Sequence, residues 1–504
     1  MKRLLYILLL LPFGLSAQNM YNVTPFLDND LSGTARFVGM GGSMSALGAD
    51  LSTMSVNPAG MALFRSNDIS LTGGLVVNQS SALYEGVKAE TSLTLPYFSN
   101  LSFVLSMDLN DDYLKFLNLG FGYRKKNNLS GNFAMEGLAG DFSQQYIMEQ
   151  LYRSNPFDVN KLSSDMYDYL NYNWLTLLAA EAYLGDSLGN FITYPDTSLV
   201  WLPDEIGYYQ EQRGGVDAID INLSANISDR FYLGTTVGIY NVDYSRYSSY
   251  SEYDSYGPIY TLENKYVMKG AGFDIKLGAI VRPFKYSPFK VGLSVHTPIW
   301  YTLDEYTTAT ITDPYGNRFS TTDYSLYNRE YSVSSKLSTP WRVNASMSYT
   351  FGTYLALNAE YEYADYSATQ YTSRSYVAKA QNEEIKYNLK NRHIARVGAE
   401  LNIKGFALRA GYNYSTAPFK SDAYKNLGNA NITDTSTEYM NLYDKHTYTL
   451  GCGYHGKTFY FDMAYMQERQ NAEFFPFYDI DFVNPGAKVA LTNHTAVATV
   501  GVRF

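Results

Sequence analysis

From Asp217 to Ile227 the residues alternate, with Ile219, Ile221, Leu223, Ala225 and Ile227 on one face and Asp220, Asn222, Ser224 and Asn226 on the other. Arg342 to Tyr349 repeats the pattern, with Val343, Ala345, Met347 and Tyr349 set against Arg342, Asn344, Ser346 and Ser348. Leu355 to Tyr363 does so again, placing Asn358, Glu360 and Glu362 opposite an apolar face. A period of two marks a β-strand with one wet and one apolar side. It predicts about fourteen strands, near 67–79, 91–107, 113–125, 214–227, 231–245, 264–283, 289–300, 333–350, 354–367, 389–403, 406–417, 446–455, 458–469 and 489–504.

Alternation alone fits a soluble sandwich as well as a barrel. Three features favour a membrane barrel. The apolar faces are aliphatic in mid-strand and aromatic near the ends, and the polar faces carry charges, as a wet or plugged lumen allows. Connector lengths also alternate: those at 228–230, 285–288, 351–353, 404–405 and 456–457 are short, and those between them are long and rich in Tyr, Ser, Asn and Asp. Short periplasmic turns and long outer loops give that rhythm. The predicted fold is therefore all-β, a transmembrane antiparallel barrel.

Two stretches break the period. Ser32–Arg65 is rich in Gly, Ala, Ser and Met and follows neither repeat, so residues 18–65 are expected to form a plug inside the barrel of residues 66–504. Small residues let backbone pack on backbone, and irregular backbone at membrane depth requires a wall between it and lipid. Pro58 biases Asn57 to an extended conformation, so Asn57-Pro58-Ala59-Gly60 is predicted to be a defined turn. Residues 128–213 instead show helical spacing, at Phe142, Tyr146, Ile147 and Leu151, then at Leu162, Met166, Tyr169, Leu170 and Leu177, with Gly185 as a stop. They are expected to form a partly helical extracellular insertion.

Composition agrees with a membrane protein: 17% of residues are charged and 16% aromatic, with 49 Tyr, where ordinary domains carry about 25% charged residues. Tyrosine, apolar in the ring and polar at its tip, suits a membrane interface. A formal net charge of −10 argues against a nucleic-acid partner. Residues 1–17, MKRLLYILLLLPFGLSA, have the basic start, apolar run and small-residue end of a cleaved signal peptide. Exported and without an apolar helix long enough to span, the chain is expected to cross the outer membrane as a barrel. Phe504, on an alternating final strand, is expected to serve as the signal to the outer-membrane assembly machinery.

No chemistry-bearing motif points to an enzyme. Gly39-Met40-Gly41-Gly42 lacks the preceding strand that a nucleotide loop requires. The five histidines show no metal-ligand spacing, no GxSxG elbow is present, and Cys452 is a lone cysteine read as a small apolar side chain. Glu360 and Glu362 could pair as catalytic carboxylates, but ion pairs with Arg342, Arg396 or Arg409 are the simpler reading. No metal or cofactor is expected.

Ser32-Gly33-Thr34-Ala35, then Gly39, Gly41-Gly42, Ala46-Leu47-Gly48-Ala49-Asp50 and Asn57-Pro58-Ala59-Gly60, resemble the N-terminal hatch of the FadL/TodX family of outer-membrane transporters of hydrophobic compounds. The resemblance implies a fourteen-stranded barrel that binds a hydrophobic ligand among its outer loops, passes it to the lumen and releases it sideways into the membrane. The exit would lie at a kinked strand near the hatch, for which Gly120 and Gly122 are the candidates. The implied function is passive uptake of fatty acid-like or aromatic compounds, gated by Gly39, Gly41, Gly42 and Asn57–Gly60. The implied partners are that ligand and outer-membrane lipids, with the chain acting as a monomer. Two other readings stay open: a surface structural or adhesion barrel whose tyrosine-rich loops bind a partner, and a receptor for a specific ligand such as haem.

Overall fold

In the computed structural model the alternating segments pair edge to edge, each antiparallel to its neighbour, until the last strand returns to the first, Asp68 opposite Arg503 and Leu83 opposite Lys488. Residues 20–504 are described, apart from 141, 158–171, 183, 185–202, 325–330, 374–375, 426–432 and 478–485. The result is a closed barrel of 14 strands. They are β1 (Asp68–Tyr84), β2 (Val87–Asp108), β3 (Leu114–Asn128, prolonged by Gly131–Leu138), β4 (Glu205–Ile227), β5 (Phe231–Asp254) and β6 (Gly257–Val281). Next come β7 (Lys290–His296 and Trp300–Thr312), β8 (Tyr331–Ser338 and Arg342–Phe351) and β9 (Leu355–Asp365, prolonged by Gln370–Ser373). The circle finishes with β10 (Asn391–Ile403), β11 (Phe406–Ser415), β12 (Tyr439–His455), β13 (Phe459–Phe475) and β14 (Ala487–Arg503). Closure removes the unpaired edges that lipid would not tolerate.

The outer wall is a lipid surface. Ile221, Leu223, Val237, Ile239, Leu277, Leu293, Val397, Leu408, Leu450 and Val500 are all exposed. Phe98, Phe273, Trp300, Trp341, Tyr361 and Tyr448 border this band on the loop side, and Phe231, Phe351, Phe406, Phe459 and Phe504 on the turn side. An aliphatic band between two aromatic girdles is the exterior of a transmembrane barrel.

Three sequence expectations change. The connectors after β1 and β5 are not long loops: β1 and β2 meet in a two-residue turn, Glu85-Gly86, with φ of 43° and 83°, and β5 and β6 meet at 255–256. Tyrosine and small hydroxyl residues that read as loop instead continue the ladder beyond the membrane, because aromatic and hydroxyl side chains suit a pleated surface. β7 and β8 are each interrupted, at 297–299 and 339–341, where Pro298 and Pro340 supply no backbone donor. At Gly120 and Gly122 the pairing of β3 to β2 and β4 runs without a shift, and the irregularities on the β4 side fall at Leu114/Phe116 and Lys125/Asn127.

The 128–213 stretch is part strand, part helix. Residues 131–138 and 205–212 form a ladder above the barrel. Between them, among the described residues, lie two helices, which are numbered α3 (Gln145–Ser154) and α4 (Trp174–Glu181) after α1 (Met20–Leu27) and α2 (Ala35–Gly39) in the N-terminal segment. Ile147, Met148, Trp174, Leu175, Leu177 and Leu178 bury themselves against Tyr84, Phe133, Tyr250, Tyr260 and Phe474, so the helical residues close over the loop-side end of the barrel. Leu162, Met166, Tyr169, Leu170, Gly185 and residues 1–17 lie outside the described residues.

Candidate functional site

Residues 20–65 run through the lumen, and the wall is recessed to receive them. A Cβ on Gly234 would meet the carbonyl oxygen of Pro58 at 2.4 Å, one on Gly278 the Asn57 Oδ1 at 2.1 Å, and one on Gly411 the Gly41 nitrogen at 2.3 Å. Gly398 is likewise held against the Met40 carbonyl, and Gly451 against Gly39. Gly120 and Gly122 belong to the same set: the space their side chains would fill is taken by Met54 and Met61. These strand glycines are sites of close backbone approach.

The hatch residues divide between two walls. Gly39 and Gly41 rest on β11 and β12, whereas Asn57, Pro58 and Ala59 rest on β5, β6 and β7. Gly41 and Gly42 have φ of 66° and 73°, and turn the chain between these walls. Asn57 is fully buried and caps the 3-10 turn Pro58–Leu63. Its Oδ1 accepts the Ala59 N–H at 3.1 Å and its Nδ2 donates to the Ser45 carbonyl at 2.9 Å. Gly60 closes the turn, its N–H donating to the Asn57 carbonyl at 2.9 Å. Phe504 lies at the turn-side rim, 70% exposed, its backbone exchanging two 3.1 Å hydrogen bonds with Asn67.

At plug height the lumen is filled with paired charges. Arg36 of α2 grips Glu400 with two 2.8 Å bonds, and Arg409 joins Glu400 to Asp462, each at 2.6 Å. Glu360 and Glu362 are held by Arg396 at 2.8 and 2.9 Å, and Glu362 also by Arg342 at 3.2 Å. Lys276 sits between Asp220 and Asp274, 2.9 Å from each. The Glu360–Glu362 pair is thus engaged by guanidinium groups. Among the described residues, no group of three His, Cys, Asp or Glu is placed to hold a metal ion.

Above the charges the lumen turns apolar. Lumen-facing positions of β4 read Asn226, Ser224, Asn222 and Asp220 from the turn side, then Ala218 and Val216. On β6 Lys276 and Asp274 give way to Met268, and on β7 His296 gives way to Tyr301 and Leu303. The apolar chamber so formed also takes in Val242, Tyr244, Leu337, Ala364 and Tyr371, and Met20, Val23, Phe26 and Leu27 of α1 fill it. Sequence reasoning missed this chamber. Its signal was a drift in polarity along the lumen parity of several strands, which appears only when those strands are in register.

Beside the chamber the wall is incomplete. The β2–β3 ladder runs only from Asp108↔Phe116 to Asn100↔Arg124, although β2 goes on to Val87 beside β1 and β3 goes on to Asn128 beside β4. Pro96 sits on the half-unpaired stretch of β2, the setting that tolerates proline. The segment Asp28–Gly33 occupies the seam. Asp30 N–H donates to the Lys126 carbonyl at 3.0 Å, Ser32 Oγ to the Lys125 carbonyl at 2.5 Å, and Gly33 exchanges bonds of 2.9 and 3.1 Å with Ser99 Oγ. Lys126 Nζ donates to the carbonyls of Phe26 and Asp28. Phe98 and Tyr123, with ring centroids 5.3 Å apart, lie on the wall beneath the seam. Leu129, at its far edge, packs against the apolar chamber.

No protein-family model and no curated protein matches the sequence. Solved structures do match the fold. A FadL homologue of Pseudomonas aeruginosa is similar over 95% of this chain and 99% of its own, with a TM-score of 0.54 and 14% identity. The P. putida toluene transporter TodX covers 94% and 99%, with a TM-score of 0.51 and 13% identity. The CymD monoaromatic hydrocarbon channel covers 95% and 99%, with 0.51 and 11%. The chain has the fold of these FadL- and TodX-type barrels.

Proposed function

We propose that the protein is an outer-membrane channel for passive uptake of hydrophobic small molecules, with residues 18–65 as plug and lateral release into the membrane. The observation that carries this reading is an apolar lumen chamber that abuts a seam in the wall, above a lower lumen filled with paired charges. A greasy solute that takes the place of α1 gains by leaving water for the chamber and loses by moving on into the charged layer, so its downhill path is sideways into lipid. Asp28–Gly33 is the gate of that path, held in place by the turn at Asn57–Gly60 and the glycine contacts around Gly39, Gly41 and Gly42. The barrels of similar fold are named as a FadL homologue, a toluene transporter and a monoaromatic hydrocarbon channel, and the last two names support a small apolar substrate. Export and assembly in the outer membrane complete the reading, with lipid as the surroundings of a monomeric barrel.

The test is uptake of radiolabelled toluene and oleate by cells expressing the wild type or the lumen variants Val242→Asp and Leu303→Asp. The variants should assemble, judged by heat-dependent gel mobility, and lose most of the uptake. Wild-type uptake no greater than that of cells lacking the protein would refute the proposal.

A further inference from the structure

The outer wall of β12–β14 carries a polar patch at the loop-side border of the apolar band. His446, Arg469 and Thr492 are direct neighbours in one cross-strand row, and Tyr448, Gln467 and His494 in the next row toward the turn side. Such neighbours lie about 5 Å apart across strands and about 7 Å apart between rows. Both imidazoles are fixed from one side. The Tyr412 hydroxyl meets His446 Nδ1 at 2.8 Å, and the Tyr465 hydroxyl meets His494 Nδ1 at 2.7 Å. A phenol proton given to Nδ1 leaves the imidazole proton on Nε2, and no described residue meets either Nε2.

The two pairs lie one cross-strand row apart: Tyr412 is level with Tyr448, Gln467 and His494, and Tyr465 stands one row nearer the turn side, opposite Leu450. Arg469 is exposed and has no ion pair among the described residues. The nearby carboxylates are engaged: Asp444 accepts the Tyr414 hydroxyl at 2.6 Å and the Ala417 N–H at 2.7 Å, and Glu473 accepts the Tyr443 hydroxyl at 2.9 Å. Below the patch Leu450, Met463 and Val500 present a lipid-facing apolar track.

A guanidinium and two outward N–H donors, set over a hydrocarbon surface, match a ligand that is an anion at one end and acyl chain at the other. We propose that this patch binds the phosphate of a membrane-lipid headgroup, with Arg469 and the Nε2–H groups of His446 and His494 as donors and the acyl chains lying along Leu450, Met463 and Val500. Arginine suits the role because its planar fork matches phosphate oxygens. The site requires only the membrane-spanning barrel and is independent of transport.

The experiment is native mass spectrometry of the full chain in detergent, titrated with dipalmitoyl phosphatidic acid, with dipalmitoylglycerol, or with inorganic phosphate. The wild type should retain phosphatidic acid at least tenfold better than diacylglycerol, and the triple variant Arg469→Ala/His446→Ala/His494→Ala should lose that preference, since charge-assisted bonds of this kind carry roughly tenfold each. His393→Ala, which removes the third outward imidazole of the barrel on β10, away from Arg469, should retain it. Equal retention of the two lipids by the wild type, or an unchanged preference in a triple variant that keeps heat-dependent gel mobility, would overturn the assignment. Displacement of phosphatidic acid by an equal concentration of inorganic phosphate would also overturn it, marking a site for a soluble anion.

Discussion

Asn57 has two bonds to lose. Asn57→Ala removes the cap of the Pro58–Leu63 turn and leaves the Ser45 carbonyl without its donor, at a cost of about 1–3 kcal/mol to the plug. The wall ladders do not depend on it, so the barrel should still assemble while uptake of hydrophobic solutes falls; unchanged uptake would remove Asn57 from the gate. Asp30 makes a second prediction. Its carboxylate accepts the Asn128 N–H at 2.7 Å within the seam. Asp30→Ala leaves the Asn128 N–H without its acceptor, so hydrogen exchange of residues 28–33 should be faster in the variant than in the wild type; equal protection would show that this bond does not hold the segment. At this scale the sequence was half legible. Pro58 constrains its neighbour locally, so the turn could be read, whereas Gly120 and Gly122 looked like a bend because a glycine does not reveal what has come into its empty space.

The strands were readable because side-chain period is a local property, and all 14 expected segments have a strand over them. Their upper ends were not readable, since Tyr244–Tyr260 has the composition of a loop and becomes a hairpin only by pairing with itself. The seam is a property of three elements at once: β2, β3 and the segment Asp28–Gly33. If lateral exit runs through it, fastening that segment should stop transport. Ser32 and Ser99 both face the Tyr97 hydroxyl and flank the Gly33 contact, so cysteines at these two positions should be near enough to join. In a Cys452→Ser background, the Ser32→Cys/Ser99→Cys variant should take up toluene when reduced and lose uptake when oxidised, with dithiothreitol restoring it. Full uptake by a chain whose cross-link is verified by mass would place the exit elsewhere.

Across the whole molecule the lumen has a direction: a cap and a chamber lined mainly by apolar side chains, with Glu252 and Glu305 buried among them, over a floor of paired charges. That gradient was written in the sequence strand by strand but could not be assembled without register, because a one-residue slip exchanges lumen and lipid faces. It separates the two tasks of a plugged barrel. On the proposed function, the charged floor, tied to the plug through Arg36–Glu400 and the Ser45–Glu360 bond, would block water-soluble traffic, and the chamber and the seam would form an apolar side route. Each buried ion pair is costly to break singly, since its partner would be left uncompensated in a confined space. Deleting residues 20–65 releases Glu400, Glu360 and their arginines into a water-filled lumen, where they are solvated, and leaves the strand-to-strand hydrogen bonds of the wall in place. The deleted chain should therefore assemble and pass ions, with single-channel conductance in planar bilayers rising from near closed to a stable open level, while selective uptake of toluene is lost because no segment remains to direct it through the seam. An assembled deletion variant that stays closed would show that the seal lies in the cap formed by α3 and α4, and that the N-terminal segment does not gate the barrel.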